Sequence, residues 1–417
     1  MAAARRSALF LTLLIFVAFI SLGLPDGLLG IAAPSIRRTF GLPLDAIGIM
    51  FITGTAGYFL SSISSGRLLA WLGVGRLLAL SSLLTASALL GYAASPAWGM
   101  MVALGFVSGL GAGAIDAGLN TYVAANRSER MMQWLHASFG IGMTLGPLIM
   151  TAVLESDRSW RLGYVIVGVA QIVLAVTFAA TASMWRGSVK TSEERAETEP
   201  ENAPSLLETL RLRGAWLSIA IFATYCALEY SVGQWSYTLF TESRGIAEDT
   251  AGLWVSIYWG MFTLGRILGG VTSARLGMAR LLQMGTIGAI AGTALLWWNP
   301  VATSGGVAVG LLGFSLAPIF PALISTTAQR VGPRHTPNTI GFEVGAASAG
   351  IAVIPALLGV LADAWGLKTI EVALFVLALF VFGLYNLIQM MLAHRIPVQE
   401  LPPVATQESV APVHDYS

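Results

Sequence analysis

The chain has little charge: 11% of its 417 residues are Asp, Glu, Lys or Arg, against roughly a quarter in soluble domains. With 55% hydrophobic residues, a water-soluble fold could not hide its apolar surface. Lysine is nearly missing, with only Lys190 and Lys368, and the formal net charge is +1. No basic patch can form to hold nucleic-acid phosphates, so nucleic acid is excluded as a partner. The single cysteine, Cys226, rules out an internal disulfide and sits in an apolar run as a small core residue. Four histidines, His136, His335, His394 and His414, are scattered, and no HExxH, GxSxG or GxxxxGK[ST] occurs. No metal site, cofactor or direct use of ATP is expected, and a membrane enzyme or a non-transporting sensor is a remote alternative.

What the chain does have is apolar runs of about 20 residues, enough to cross a hydrocarbon layer of roughly 30 Å as helix. Twelve such spans can be read, among them helix one over roughly 8–34, helix four over 98–124, helix seven over 214–240, helix eight over 251–272, helix ten over 304–328 and helix eleven over 338–362. The first begins after ARR and imitates a secretory signal, but its apolar run is too long and no small-x-small cleavage site follows. The fold class expected is therefore an all-α polytopic membrane protein of twelve transmembrane helices. Most Lys and Arg fall on one side when the N-terminus is cytoplasmic, which predicts a multi-pass protein of the inner or plasma membrane with both termini inside. We expect a monomer.

Residues 186–213 turn polar and Glu-rich and read as a cytoplasmic linker. Its last part, SLLETLRLR, sets Ser205 and Glu208 at the spacing of a helix-capping box. Residues 395–417 are Pro-rich, lack periodicity and read as a disordered tail. That leaves a half over 1–185 and a second over 214–394. The segment GRLLAWLGVGRLL from Gly66 recurs as GVTSARLGMARLL from Gly270, and the same offset carries Gly41, Asp45 and Gly48 onto Gly245, Asp249 and Gly252. The chain is a duplication. With a long linker between six-helix halves, it resembles the major facilitator superfamily of transporters. Gly66, Gly73 and Arg76, and in the second copy Gly270, Arg275, Gly277 and Arg280, match that superfamily's signature loop, whereas Ala70 and Ala274 stand where its acid would be. The resemblance implies pseudo-symmetric halves that rock about a central site, with Arg76 and Arg280 in gating or charge pairing.

A carboxylate in lipid costs several kcal/mol, about 2.5–3.5 on insertion scales, so it marks a cavity or a partner. Asp26 in helix one, Asp116 in helix four, Glu229 in helix seven and Glu343 in helix eleven are the acids at depth, and each could instead be neutralised structurally by a neighbouring helix. Arg266 in helix eight is placed to gate, to snorkel or to pair with an acid. Asp116 and Asn120 are four residues apart and share a face, among glycines and alanines that let helices approach closely.

That acid-then-Asn spacing, together with HASFGIG at 136–142, resembles the fucose:proton symporter family and related sugar transporters. The resemblance gives Asp116 a part in proton coupling. Alignment on the Pro and Phe of AAPSIRRTF puts the family's helix-one acid at Gly30, and Asp26 lies one turn away on the same face. In helix seven, EYSVGQWSYT resembles sugar-transporter members and offers Gln234 for hydroxyls and Trp235 or Tyr237 for a sugar ring, although either ring serves a core equally well. Two prolines in APIFPALIS could break helix ten. The function expected is cation-coupled uptake of a monosaccharide or similar small polar solute by alternating access, with the proton as the cation that the resemblance implies. Sodium is the other candidate ion. A proton-coupled drug or metabolite exporter of the same fold is the alternative. Proton-coupling acids are then Asp26, Asp116, Glu229 and Glu343, and substrate ligands are Asn120, Gln234, Trp235 and Tyr237.

Overall fold

In the computed structural model, residues 2–126, 129–185 and 204–393 are described. The long apolar runs become helices because a helix alone satisfies its own backbone in lipid. They are α1 (Ala2–Phe40), α2 (Gly48–Leu72), α3 (Val74–Ala94), α4 (Trp98–Asn126), α5 (Glu129–Glu155) and α6 (Arg161–Ala180). A second set follows: α7 (Arg213–Thr238), α8 (Glu248–Leu276), α9 (Met278–Trp298), α10 in two pieces (Ser304–Leu316 and Ile319–Ser325), α11 (Thr336–Trp365) and α12 (Lys368–Ala393). By length and composition, spans on eleven of them suffice to cross a membrane. The twelfth, α8, is long enough at 29 residues but carries Glu248, Asp249, Arg266 and Arg275.

Each half pairs its helices the same way. In the first, α1 packs on α5, α2 on α4 and α3 on α6; in the second, α7 packs on α11, α8 on α10 and α9 on α12. The duplication extends to the backbone. Gly73 and Gly277 alone separate α2 from α3 and α8 from α9, at φ of 72° and 77°. Glycine is the residue that adopts this conformation without strain.

Short connections make successive helices antiparallel, so the bundle has a linker end, where α6 stops and α7 starts, and a distal end. The expected linker lies outside the described residues up to 203, and the expected tail lies outside them altogether. The described chain resumes at Pro204, and the capping box forms: Ser205 Oγ accepts from the Glu208 N–H while the Glu208 carboxylate accepts from the Ser205 N–H. This short helix, Leu206–Leu210, docks on α11, since Asn338 Nδ2 donates to the Pro204 carbonyl and Thr209 Oγ1 meets His335 Nδ1 at 3.0 Å.

Prolines leave carbonyls without donors, and side chains take them up. Pro25 removes the N–H that would serve Ser21, and Gln171 Nε2 of α6 donates to that carbonyl at 2.9 Å. Pro318 divides α10, as the paired prolines predict, and at the end of its first piece the Tyr225 hydroxyl donates to the Leu316 carbonyl at 3.0 Å.

The halves are joined toward the distal end. Arg37 Nη1 donates to both oxygens of Glu242 at 3.1 and 3.0 Å, Arg38 lies 3.6 Å from Glu248, and the Leu44 N–H donates to Asp363. Further in, α1 meets α7, α2 meets α11 and α5 meets α8.

Candidate functional site

Tight packing of α2 on α4 builds the first part of the site. A Cβ added to Gly113 would collide with the Tyr58 carbonyl and stand 2.5 Å from Ser61 Oγ, so only a bare backbone permits this approach. One turn further along α4, the Tyr58 hydroxyl donates to Asp116 Oδ2, and Asn120 Nδ2 donates to Oδ1 at 2.9 Å. Both oxygens of the acid are thus engaged by neutral donors, with no cation beside them among the described residues. The expected shared face of Asp116 and Asn120 is what the helix presents, and the amide is used to hold the acid. Tyr58 carried no sequence signal that would have singled it out.

Asp26, in the middle of α1, is partly exposed and its carboxylate has no hydrogen bond or ion pair among the described residues. It lies within electrostatic reach of Tyr58, Tyr92, Tyr164 and Tyr230, which belong to four different helices. Its backbone carbonyl accepts from Gln234 Nε2 at 3.1 Å, a bond between the halves. Gln234 is 3% exposed, and its Oε1 has no partner. A small cavity of about 10 Å³ between the halves is lined by Gly30, Phe51, Gln234, Trp235 and Thr238. It has room for about one water, not for a sugar.

Trp235 and Tyr237 take the core placement that the sequence allowed beside the binding one. Trp235 is 4% exposed, its Nε1–H donates to the Pro355 carbonyl at 3.0 Å, and its indole packs toward Gly359. Tyr237 is buried near the distal end, close to Glu248. Both rings pack between helices in this state because the face of α7 that carries them is turned toward neighbouring helices.

In the second half, Glu229 receives the Tyr225 hydroxyl on Oε2, while Arg266 Nη2 stands 3.9 Å from Oε1. The Arg266 guanidinium also lies 4.4 Å from the centre of the Phe262 ring, a cation–π contact. Of the roles open to Arg266, pairing with an acid is the one it takes here. Both side chains stay partly exposed.

Glu343 is the acid whose surroundings depart most from expectation. It is fully buried and paired with Arg330 at 2.7 Å. Arg330 in turn donates to Ser218 Oγ at 2.6 Å, Thr326 Oγ1 at 2.9 Å and the Leu323 carbonyl at 2.8 Å. Arg330 lies beyond the apolar run read as helix ten, and the short helix Thr327–Val331 holds it buried inside the protein. Arg76 and Arg280 are both exposed at the linker end, and neither forms an ion pair among the described residues.

Partly exposed acids on mid-length positions of α1, α4 and α7, in a bundle of two repeated halves joined at one end, define a polytopic carrier. The chain belongs to the Major Facilitator Superfamily, whose sequence model matches residues 11–342 and 238–412. Among its relatives, the sodium-dependent glucose transporter 1 of Homo sapiens is 22% identical over 82% of this chain and 72% of its own length. The glucose/mannose transporter GlcP of Bacillus subtilis is 23% identical over 82% of this chain and 85% of its own. The glucose/galactose transporter of Brucella abortus is 26% identical, covering 81% and 84%. Among solved structures, a bacterial homolog of the human lysosomal transporter Spinster, inward-facing and unoccupied, superposes with a TM-score of 0.75 at 14% identity, over 93% of this chain and 98% of that one. The nucleoside transporter NupG gives 0.68 at 14%, over 91% and 98%. Those structural likenesses speak to the fold alone.

Proposed function

We propose that this chain takes up a monosaccharide by alternating access, driven by a cation gradient, with the proton as the coupling ion. The observation that carries the reading is the Tyr58–Asp116–Asn120 cluster: an acid in an apolar helix, held by neutral donors on a partly exposed face. Solvation governs whether such an acid keeps its proton, and reorientation of the halves changes solvation. The printed names of the relatives supply the hexose class. Asp26, Asp116 and Glu229 are the coupling acids. Asn120 and the free Oε1 of Gln234 are the substrate's hydrogen-bonding partners, and Trp235 and Tyr237 join them only when the distal contacts part. Glu343 is assigned to structure, since its cation is fixed.

The halves are residues 1–185 and 214–394, with the linker and tail on the cytoplasmic side of the cell membrane and the chain acting as a monomer. The distal closure is then the inward-facing state. Sodium is the second reading, favoured by the name of the human relative. The test is uptake of labelled glucose, mannose and galactose into proteoliposomes under an imposed proton gradient or an imposed sodium gradient. Accumulation with protons alone supports the proposal. Accumulation that needs sodium replaces the ion, and no hexose uptake under either gradient rejects the substrate class.

A further inference from the structure

The Tyr225 hydroxyl has one proton and two neighbours able to accept it, the Leu316 carbonyl at 3.0 Å and Glu229 Oε2. A carbonyl oxygen has no proton to return. When the hydroxyl donates to Leu316, the carboxyl must donate to the tyrosine oxygen, which requires a protonated Glu229. When Glu229 is ionised, the hydroxyl turns its proton to the carboxylate and Leu316 loses its donor. Leu316 is the last residue of the first piece of α10, just before the break at Pro318. Carbonyls at a helix end lack intrahelical donors and need one from elsewhere.

We infer that Tyr225 is a positioning residue that couples the proton on Glu229 to the break in α10: the protonated acid leaves the hydroxyl free to cap Leu316, and the ionised acid uncaps it. The inference rests on the reading of Glu229 as a coupling acid and gives that acid a mechanical consequence. Tyr225 is fully buried and Tyr258 of α8 donates to the Glu229 carbonyl at 2.7 Å, so the backbone that bears the acid is held while its side chain changes state.

The charged and titratable groups around Glu229 are few. From α8 come Arg266, at a separation beyond hydrogen-bond reach, and Tyr258; from α7 itself come Tyr225 and Cys226. His136 of α5 approaches Arg266, and Asp26 of α1 approaches Tyr230. Glu343 of α11 belongs to the network of Arg330 and Ser218, eleven residues or about 16 Å back along α7. On α12, Glu371 pairs with Arg244 and Tyr385 bonds Ala279. Arg266 is therefore the group that an ionised Glu229 draws closer.

The test is hydrogen exchange of the full-length protein in nanodiscs without substrate, followed over Ile319–Ser325. Rates are corrected for the intrinsic pH dependence and compared from about pH 5 to about pH 9, a span that brackets glutamic acids in most protein environments. The wild type should lose protection several-fold as pH rises. Glu229→Gln, whose amide still donates to the tyrosine, should stay protected throughout. Tyr225→Phe should be unprotected throughout, and it serves alone if the first variant folds poorly. No pH dependence in the wild type, an unchanged dependence in Glu229→Gln, or full protection in Tyr225→Phe overturns the inference. Because no sugar is present, a wrong substrate class would leave these outcomes untouched.

Discussion

Replacing Glu343 by Gln removes the charge that balances Arg330 while leaving its volume. The guanidinium has a side-chain exposure of 1% and cannot reach water without moving its short helix. Breaking one partner of a buried pair costs about 3–5 kcal/mol, and here Ser218, Thr326 and the Leu323 carbonyl continue to satisfy part of the guanidinium, so the lower figure is the better guide. At about 2–4 °C per kcal/mol for a fold of 150–250 residues, the size of one half, the melting temperature should fall by roughly 6–12 °C. Thermal unfolding in detergent, read by tryptophan fluorescence, measures it. The double change Arg330→Met with Glu343→Leu should recover most of the loss, because matched apolar groups replace buried ion pairs at little cost. A Glu343→Gln protein as stable as the wild type, but with altered pH dependence of transport, would refute the reasoning and return Glu343 to the coupling acids.

Two further outcomes follow from the geometry. Gly113→Ala puts a methyl against the Tyr58 carbonyl and Ser61, forcing α2 from α4; it should weaken gradient-driven uptake at least tenfold, and wild-type uptake would contradict the role given to this contact. Glu242→Gln weakens the partly exposed bond to Arg37. Such pairs contribute up to about 1 kcal/mol, so the distal ends should open about two- to fivefold more often, seen as a longer-distance population between spin labels on the loop after α1 and the end of α11. An unchanged distance distribution counts against a distal latch.

Much of this was legible in the residues themselves. Apolar run lengths yield the helices, the Gly41–Gly245 and Gly73–Gly277 correspondences reappear as paired positive φ angles, and the break at Pro318 and the Ser205–Glu208 capping box form as their local chemistry dictates. Local signals suffice where the partner is a few residues away. They fail for Tyr58, whose acid lies on another helix, and for the Tyr225 bond to Leu316, because a tyrosine in an apolar helix looks the same whichever distant group its hydroxyl meets. Trp235 and Tyr237 show the same limit: the rotation of α7 is set by what packs on it, and no stretch of α7 contains that information. Arg330 was hidden for another reason, since its neighbours Gly332 and Pro333 suggest a loop while four side chains on three elements hold it inside.

The central claim is that the Asp116 carboxylate ties substrate movement to the gradient, and Asp116→Asn reconstituted in proteoliposomes tests it most directly. The substitution keeps a partner for Tyr58 and Asn120 but removes the titrating group. Exchange of labelled for unlabelled hexose at equal concentrations should persist, while accumulation under an imposed proton gradient should vanish. Accumulation at the wild-type level by the variant would contradict the account.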